Sequence, residues 1–359
     1  MLDKNRLNRV IEGMKEQKLK QMLVSSAASI FYLTGKWIDC GERMIALYIN
    51  VDGTTKMFIN ELFPINEDLG VELKWHSDVD NPVDDILTVV DKNEALGVDK
   101  NWPCHFLISL MEKSAAKSYV NGSHILDRVR MIKDENEKNL MRKASKLNDQ
   151  AIDKVIKFLS MDKSEKTVAS EVGNIFADMG TQGNSFSPII GYGPNGADPH
   201  HECDGSLPKS GDTVIIDMGC RNEYYCSDMT RTVFLGEPTE EGKKVYNLVL
   251  EANKAGIAAV KPGARFCDVD KATRDVIEKA GYGKYFTHRT GHSIGIEVHD
   301  FGDVSSANTE VLRPGMIFSV EPGIYLSGNL GVRIEDLVMV TEDGCEVLNA
   351  YPKDMIILK

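Results

Sequence analysis

The sequence predicts an α+β chain of two unequal domains, the second built from two related halves. Three observations carry this reading. The chain has 359 residues, enough for about two domains of ordinary size. Short β-like apolar runs and amphipathic helical stretches alternate along it. After residue 160, a set of polar residues occurs twice in the same order.

Composition narrows the class. Apolar residues make up 42%, too many for disorder, and 54 acids against 42 bases give a net charge of −12. That balance argues against nucleic acid or an anionic membrane surface as partner, since both attract basic patches. No apolar run approaches the ~18–20 residues of a membrane span. The opening MLDKNRLNRV has no apolar region of the kind a secretion signal needs. Seven cysteines, an odd number without a C-x-x-C pair, fit a reduced cytoplasmic compartment.

In chain order, residues 3–19 place Leu7, Val10, Ile11 and Met14 at helical spacing. QMLVSS, SIFYLTG, RMIALYIN and TKMFINEL read as strands, the last two joined by a turn at Asp52-Gly53. NPVDDILTVV starts a helix, with Asn81 as cap and Pro82 at the first position. ALGVDK and a helix near 103–116 complete an α/β unit over residues 1–125. Residues 133–160 begin acidic and then mix in Lys and Arg. That pattern suits the helix dipole and marks the first helix of a second, larger domain over 126–359.

Within that domain, one helical segment ends at Gly180 and another at Gly281. Phe186-Ser-Pro-Ile-Ile-Gly191 follows the first and Phe286-Thr-His-Arg-Thr-Gly291 the second, and then come His200 and His299. LPKSGDTVIIDMG puts Asp217 six residues after Gly211, and LRPGMIFSVEPG puts Glu321 six residues after Gly315. A second acid follows each, Asp228 and Glu335. Such order implies two halves about an approximate two-fold, with their acids converging.

Four carboxylates inside apolar strands are costly if ionised and unpaired. An arginine such as Arg231 or Arg333 could neutralise any one of them, but these segments hold too few bases for all four. Two divalent ions would balance the set, and oxygen-rich ligation with one imidazole suits Mn, Co, Zn or Fe. The imidazole is His292 in HRTGHSIGIEVHD, where three histidines fall within twelve residues. Gly291 and Gly295 argue against a helical His pair there.

The strings DMG…SDMTRT, HRTGHSIG…VHD, EPGIY and GVRIED resemble the pita-bread metallopeptidases: methionine aminopeptidase, aminopeptidase P and prolidase. The resemblance runs from about residue 127 to the end, and YLTG at 32–35 is similar, more loosely, to the creatinase/prolidase N-terminal domain. It implies two divalent ions, Mn first among the candidates. Asp217 would hold one ion, His292 and Glu321 the other, and Asp228 and Glu335 would bridge. Glu321 would accept the proton of the attacking water. His200 and His299 would bind substrate and stabilise the tetrahedral intermediate. The Pro-His pattern favours His200 over its neighbour His201. His288 would shape a proline pocket or serve as a hydrogen-bonded loop residue. Arg333 would orient ligands or touch substrate, and Thr230 would bond a ligand carboxylate. Ser293 and Asp300 replace a usual Gly and Glu without removing a ligand.

The implied reaction is hydrolysis of Xaa-Pro bonds in proline-containing di- or oligopeptides. The N-terminal unit separates the chain from methionine aminopeptidases. Its shortness, and the Arg after His288, favour an Xaa-Pro dipeptidase (prolidase) over an Xaa-Pro aminopeptidase (aminopeptidase P). A metal-free creatinase-like hydrolase or a non-catalytic binding protein would be expected to lack ligands, and all five positions are filled. Relatives with such an N-terminal unit lead us to expect a homodimer.

Overall fold

The computed structural model describes residues 1–359 as two units, Met1–Arg130 and Met131–Lys359. The division expected at 125/126 falls instead inside a helix, Ser123–Met131, that closes the first unit. No Pro- or Gly-rich linker marks the join, so composition does not locate it.

The first unit runs α1 (Lys4–Glu16), β1 (Gln21–Val24), α2 (Ala27–Thr34), β2 (Ile45–Asn50), β3 (Thr55–Asn60), β4 (Glu72–His76), α3 (Pro82–Ile86), β5 (Ala95–Val98), α4 (Cys104–Glu112), β6 (Ser118–Asn121) and α5 (Ser123–Met131). Its strands form one sheet ordered β4-β3-β2-β1-β5-β6. The β2–β3 turn works through Gly53, at φ 96°, and through Asp52, which accepts from Thr54 N at 2.8 Å. Asn81 caps α3 by accepting from Val83 N.

One expected strand is a helix. SIFYLTG belongs to α2, capped by Ser26 Oγ and ended by Gly35 at φ 73°. Six of its eight residues are buried, so no polar face reveals the helical period. A short apolar run of this kind reads equally as a buried strand.

The second unit runs α6 (Glu135–Phe158), α7 (Glu165–Asp178), β7 (Ile189–Tyr192), β8 (Asp212–Met218), β9 (Arg221–Asn222), β10 (Tyr225–Cys226), β11 (Met229–Leu235), α8 (Glu240–Ala259), α9 (Phe266–Lys279), β12 (Gly291–His292), β13 (Asp303–Val304), β14 (Ile317–Val320), β15 (Gly323–Leu326), β16 (Leu330–Arg333), β17 (Asp336–Val340), β18 (Cys345–Val347) and β19 (Ile357–Leu358). Asp134 and Glu137 form a capping box at the start of α6.

The repeat is visible as structure. Each half supplies two helices and then an antiparallel strand pair: α6, α7 and β8–β11, then α8, α9 and β14–β17. Val214, Ile216 and Val233 pack with Ile152, Val155, Val172 and Phe176 in the first half. Phe318, Val320 and Val338 pack with Val260, Phe266 and Val269 in the second. A fully buried ring such as Phe318 contributes about 1.5–3 kcal/mol over exposure. Asp217 lies near the end of β8 and Asp228 just before β11; Glu321 follows β14 and Glu335 precedes β17. The four acids thus leave rigid strand ends.

Two buried asparagines fasten those ends. Asn148 on α6 donates to the Met218 carbonyl at 2.8 Å, and Asn253 on α8 donates to the Val320 carbonyl at 3.0 Å. All seven cysteines are unbonded, and no helix is long and apolar enough to cross a membrane.

Candidate active site

A cavity of about 620 Å³ opens in the second unit, and nine residues singled out from the sequence line it: His200, Asp217, Asp228, His288, His292, His299, Glu321, Arg333 and Glu335. The acids and His292 form a floor, while His200 and His299 stand at its exposed rim.

Arg333 organises one side of the floor. Its Nη2 donates to Asp217 Oδ2 at 2.6 Å, Nη1 to Tyr325 Oη at 2.9 Å and Nε to Thr230 Oγ1 at 3.2 Å. Thr230 Oγ1 in turn donates to Glu335 Oε2 at 2.7 Å. Arg231 faces elsewhere and pairs with Asp336 at 2.8 Å. One of the two arginines therefore meets one of the four acids.

The other side is under-bonded. His292 Nδ1 lies 3.3 Å from the Ser293 carbonyl, which can only accept, so the proton of the neutral ring sits on Nδ1. Its Nε2 lone pair faces Asp228 Oδ2 at 3.6 Å and Glu321 Oε1 at 3.5 Å, beyond hydrogen-bond reach. Burial, and next the neighbouring His299, push this imidazole down to about 3, so these contacts are not ion pairs near pH 7. Asp217 Oδ1, Asp228 Oδ1 and Glu335 Oε1 are buried without any hydrogen-bond partner.

Burial and mutual repulsion raise the Asp228 and Glu335 carboxyls well above the ordinary carboxylate range. Burial raises Glu321 to about 7, against the pull of Arg333. Ligand atoms of Asp228, His292 and Glu335 lie within 4.8 Å of one another. Buried acids with oxygens left unpaired, gathered beside a neutral imidazole lone pair, are the donor set a divalent cation needs, and such a cation would remove the repulsion.

The wall beside this floor has its own network. His288 Nδ1 lies 2.7 Å from the Arg289 carbonyl and must donate to it, so Nε2 accepts from Tyr325 O–H at 2.8 Å. A chain of bonds thus joins Asp217, Arg333, Tyr325 and His288. Burial lowers His288 to about 4, and the ring stays neutral. His299 stacks edge-on to His292, with ring centres 4.2 Å apart. His201 turns away from the cavity and meets Glu165 Oε2 at 2.6 Å. Tyr325, behind the cavity wall, and Arg289, at its mouth, are features to which the sequence reading assigned no contact. Tyr325 stands in the EPGIY string, four residues past Glu321, and its position there is the signal available for it.

The frame of paired strands and helices, with this pocket between the halves, is that of a pita-bread peptidase. Residues 139–342 match the metallopeptidase family M24, and residues 6–132 match the creatinase/prolidase N-terminal domain. The chain belongs to metallopeptidase family M24. It is 33% identical over 356 residues to an uncharacterized peptidase of Staphylococcus aureus, covering 97% of this chain and 99% of that one. Among solved structures, a prolidase from Thermococcus sibiricus superposes with a TM-score of 0.92 at 33% identity, covering 100% of both chains. An Xaa-Pro dipeptidase from Bacillus anthracis gives 0.90 at 30% identity, covering 99% of both.

Proposed function

We propose that this peptidase is a dinuclear-metal hydrolase of Xaa-Pro bonds, acting by preference on dipeptides. The observation that carries the reading is the gathering of under-bonded acids: Asp217, Asp228 and Glu335 each keep a buried oxygen without a hydrogen bond, and ligand atoms of Asp228, His292 and Glu335 lie within 4.8 Å of one another. Asp217 would hold one ion, His292 and Glu321 the other, with Asp228 and Glu335 shared. Two divalent ions, Mn foremost and Co, Zn or Fe in its place, would polarise the scissile carbonyl and make water acidic near neutral pH.

The chain's own groups do the rest. Glu321 accepts the water proton; Ser319 Oγ, at 3.0 Å, holds its Oε1 in place. His200 and His299 donate to the carbonyl oxygen as it gains charge. Arg333 holds Asp217, and Thr230 holds Glu335. His288, braced by Tyr325, walls the site of the proline ring, whose bond lacks an N–H. Arg289, exposed at the mouth and without a carboxylate partner, is placed for the free carboxylate of a dipeptide. A cytoplasmic homodimer is part of the proposal, supported by the free thiols and the family resemblance.

Metal-loaded protein should release proline from Ala-Pro faster than it cleaves Ala-Pro-Ala. Equal rates would favour the aminopeptidase reading. Arg289→Ala should raise KM for Ala-Pro by about 10–100-fold, the equivalent of one lost charge-assisted bond. Its KM for the tripeptide should change little, and unchanged KM values for both would remove Arg289 from the site.

A further inference from the structure

We propose that buried Glu165 is a positioning residue that presents His200 to the cavity by tethering its neighbour His201. The proposal rests on the reading that His200 acts on the substrate.

Glu165 opens α7 and is fully buried. Its Oε1 accepts from Tyr192 N at 2.9 Å and Asn195 Nδ2 at 3.0 Å. Its Oε2 accepts from His201 Nε2 at 2.6 Å and Asp204 N at 3.3 Å. One carboxylate therefore gathers four N–H groups spread over residues 192–204, the segment that carries His200. The backbone N–H of Glu165 also donates to the Ser206 carbonyl at 3.2 Å, and that of Lys166 to the Asp204 carbonyl at 3.0 Å. Glu165, His201 and Asp204 cluster closely enough to suggest a cation site. Both Glu165 oxygens are already taken by N–H groups, however, and a buried carboxylate so satisfied is an anchor rather than a ligand.

The segment cannot shift freely against this anchor. A Cβ at Gly191 would come within 2.8 Å of the Gly196 backbone, so the chain doubles back tightly there. Asp198 orients the histidine pair from the other side: its Oδ1 accepts from His200 N at 3.0 Å and its carbonyl from His201 N at 3.2 Å. With the His201 ring bound to Glu165, His200 is the member of the pair left facing the cavity. Releasing His201 frees the segment and lets His200 wander. A misplacement of about 1 Å can cost on the order of 100-fold in rate.

The test compares His201→Ala, His201→Gln and Glu165→Gln, each alone and combined with His200→Ala, in the Mn²⁺-loaded full chain. Activity on Ala-Pro and Mn²⁺ binding by calorimetry are both read. His201→Ala and Glu165→Gln should each lower kcat/KM by about 10–100-fold with Mn²⁺ affinity within about twofold of the parent. In the His200→Ala background each should cost less than about twofold more, because the group they position is gone. His201→Gln, whose amide N–H can reach the same oxygen, should recover most of the activity. Losses that multiply with that of His200→Ala, or an equal loss of Mn²⁺ affinity, would overturn the proposal. If His200→Ala alone leaves activity intact, the reading of His200 fails, and that result is visible independently of the Glu165 variants.

Discussion

Glu321→Gln is expected to keep the fold and lower kcat on Ala-Pro by about 10²–10⁴-fold, the usual contribution of a positioned proton acceptor. The substitution keeps the size of the side chain and an oxygen for the Ser319 hydroxyl. Without a cation, burial holds the Glu321 carboxyl near 7, so the folded chain already tolerates an uncharged group there. A glutamine mimics that neutral form but cannot take the water proton. Matching circular dichroism and thermal unfolding would establish that the fold survives. Activity within about tenfold of the parent would move proton transfer to another group.

Glu335→Gln is expected to act in opposite directions on the metal-free and metal-loaded chains. In metal-free protein, Glu335 is a buried acid with one orphaned oxygen, crowded by Glu321 and Asp217. A glutamine is neutral without taking up a proton on folding, and its amide oxygen can still accept from Thr230. The metal-free variant should therefore unfold at a higher temperature than metal-free parent. Metal affinity should fall by about 100-fold or more, since even groups that only support ligands cost 10–100-fold.

Above about pH 6.5, where the lowered His288 and His292 are neutral in both the folded and the unfolded chain, the pH dependence has a definite sign. Asp228, Glu321 and Glu335 have folded pKa values raised above their ordinary ones near 4. Between about 4 and the raised values, these three groups hold more protons in the folded chain than in the unfolded one. The stability of metal-free protein is thus fully present below about pH 4 as far as these groups go, and it falls as pH rises through about 7, the Glu321 value. Each pKa unit is worth about 1.4 kcal/mol per group. Chelator-treated parent should show this downward slope above about pH 6.5, and Glu335→Gln should flatten it. A metal-free parent whose stability rises from about pH 7 to about pH 8, above the histidine range, would contradict the crowding of acids.

Much of this site is legible in the sequence, and for a physical reason. Asp217 in VIIDMG and Glu321 after IFSV are charges in apolar strands, a placement that demands compensation. The repeat tells which acids belong together, because equivalent positions in two halves converge. Arg333 is legible as well, two residues before Glu335, and it meets Asp217 across the floor. What stays hidden depends on contacts distant in sequence. Glu165 looks like any acid in the first turn of a helix, and its partner His201 is 36 residues away. Asn148 and Asn253 look like polar interruptions on helices until the strand-end carbonyls they bind are known. The mistaken strand at SIFYLTG has a related cause: a helix buried on every side shows no period.

Two-metal dependence can be read by titrating chelator-stripped protein with Mn²⁺ and following proline release from Ala-Pro. No release is expected without metal, and activity should climb to a plateau at two ions per chain. Full release by the stripped protein, or none at any Mn²⁺ loading that fills the site, would contradict two-metal dependence.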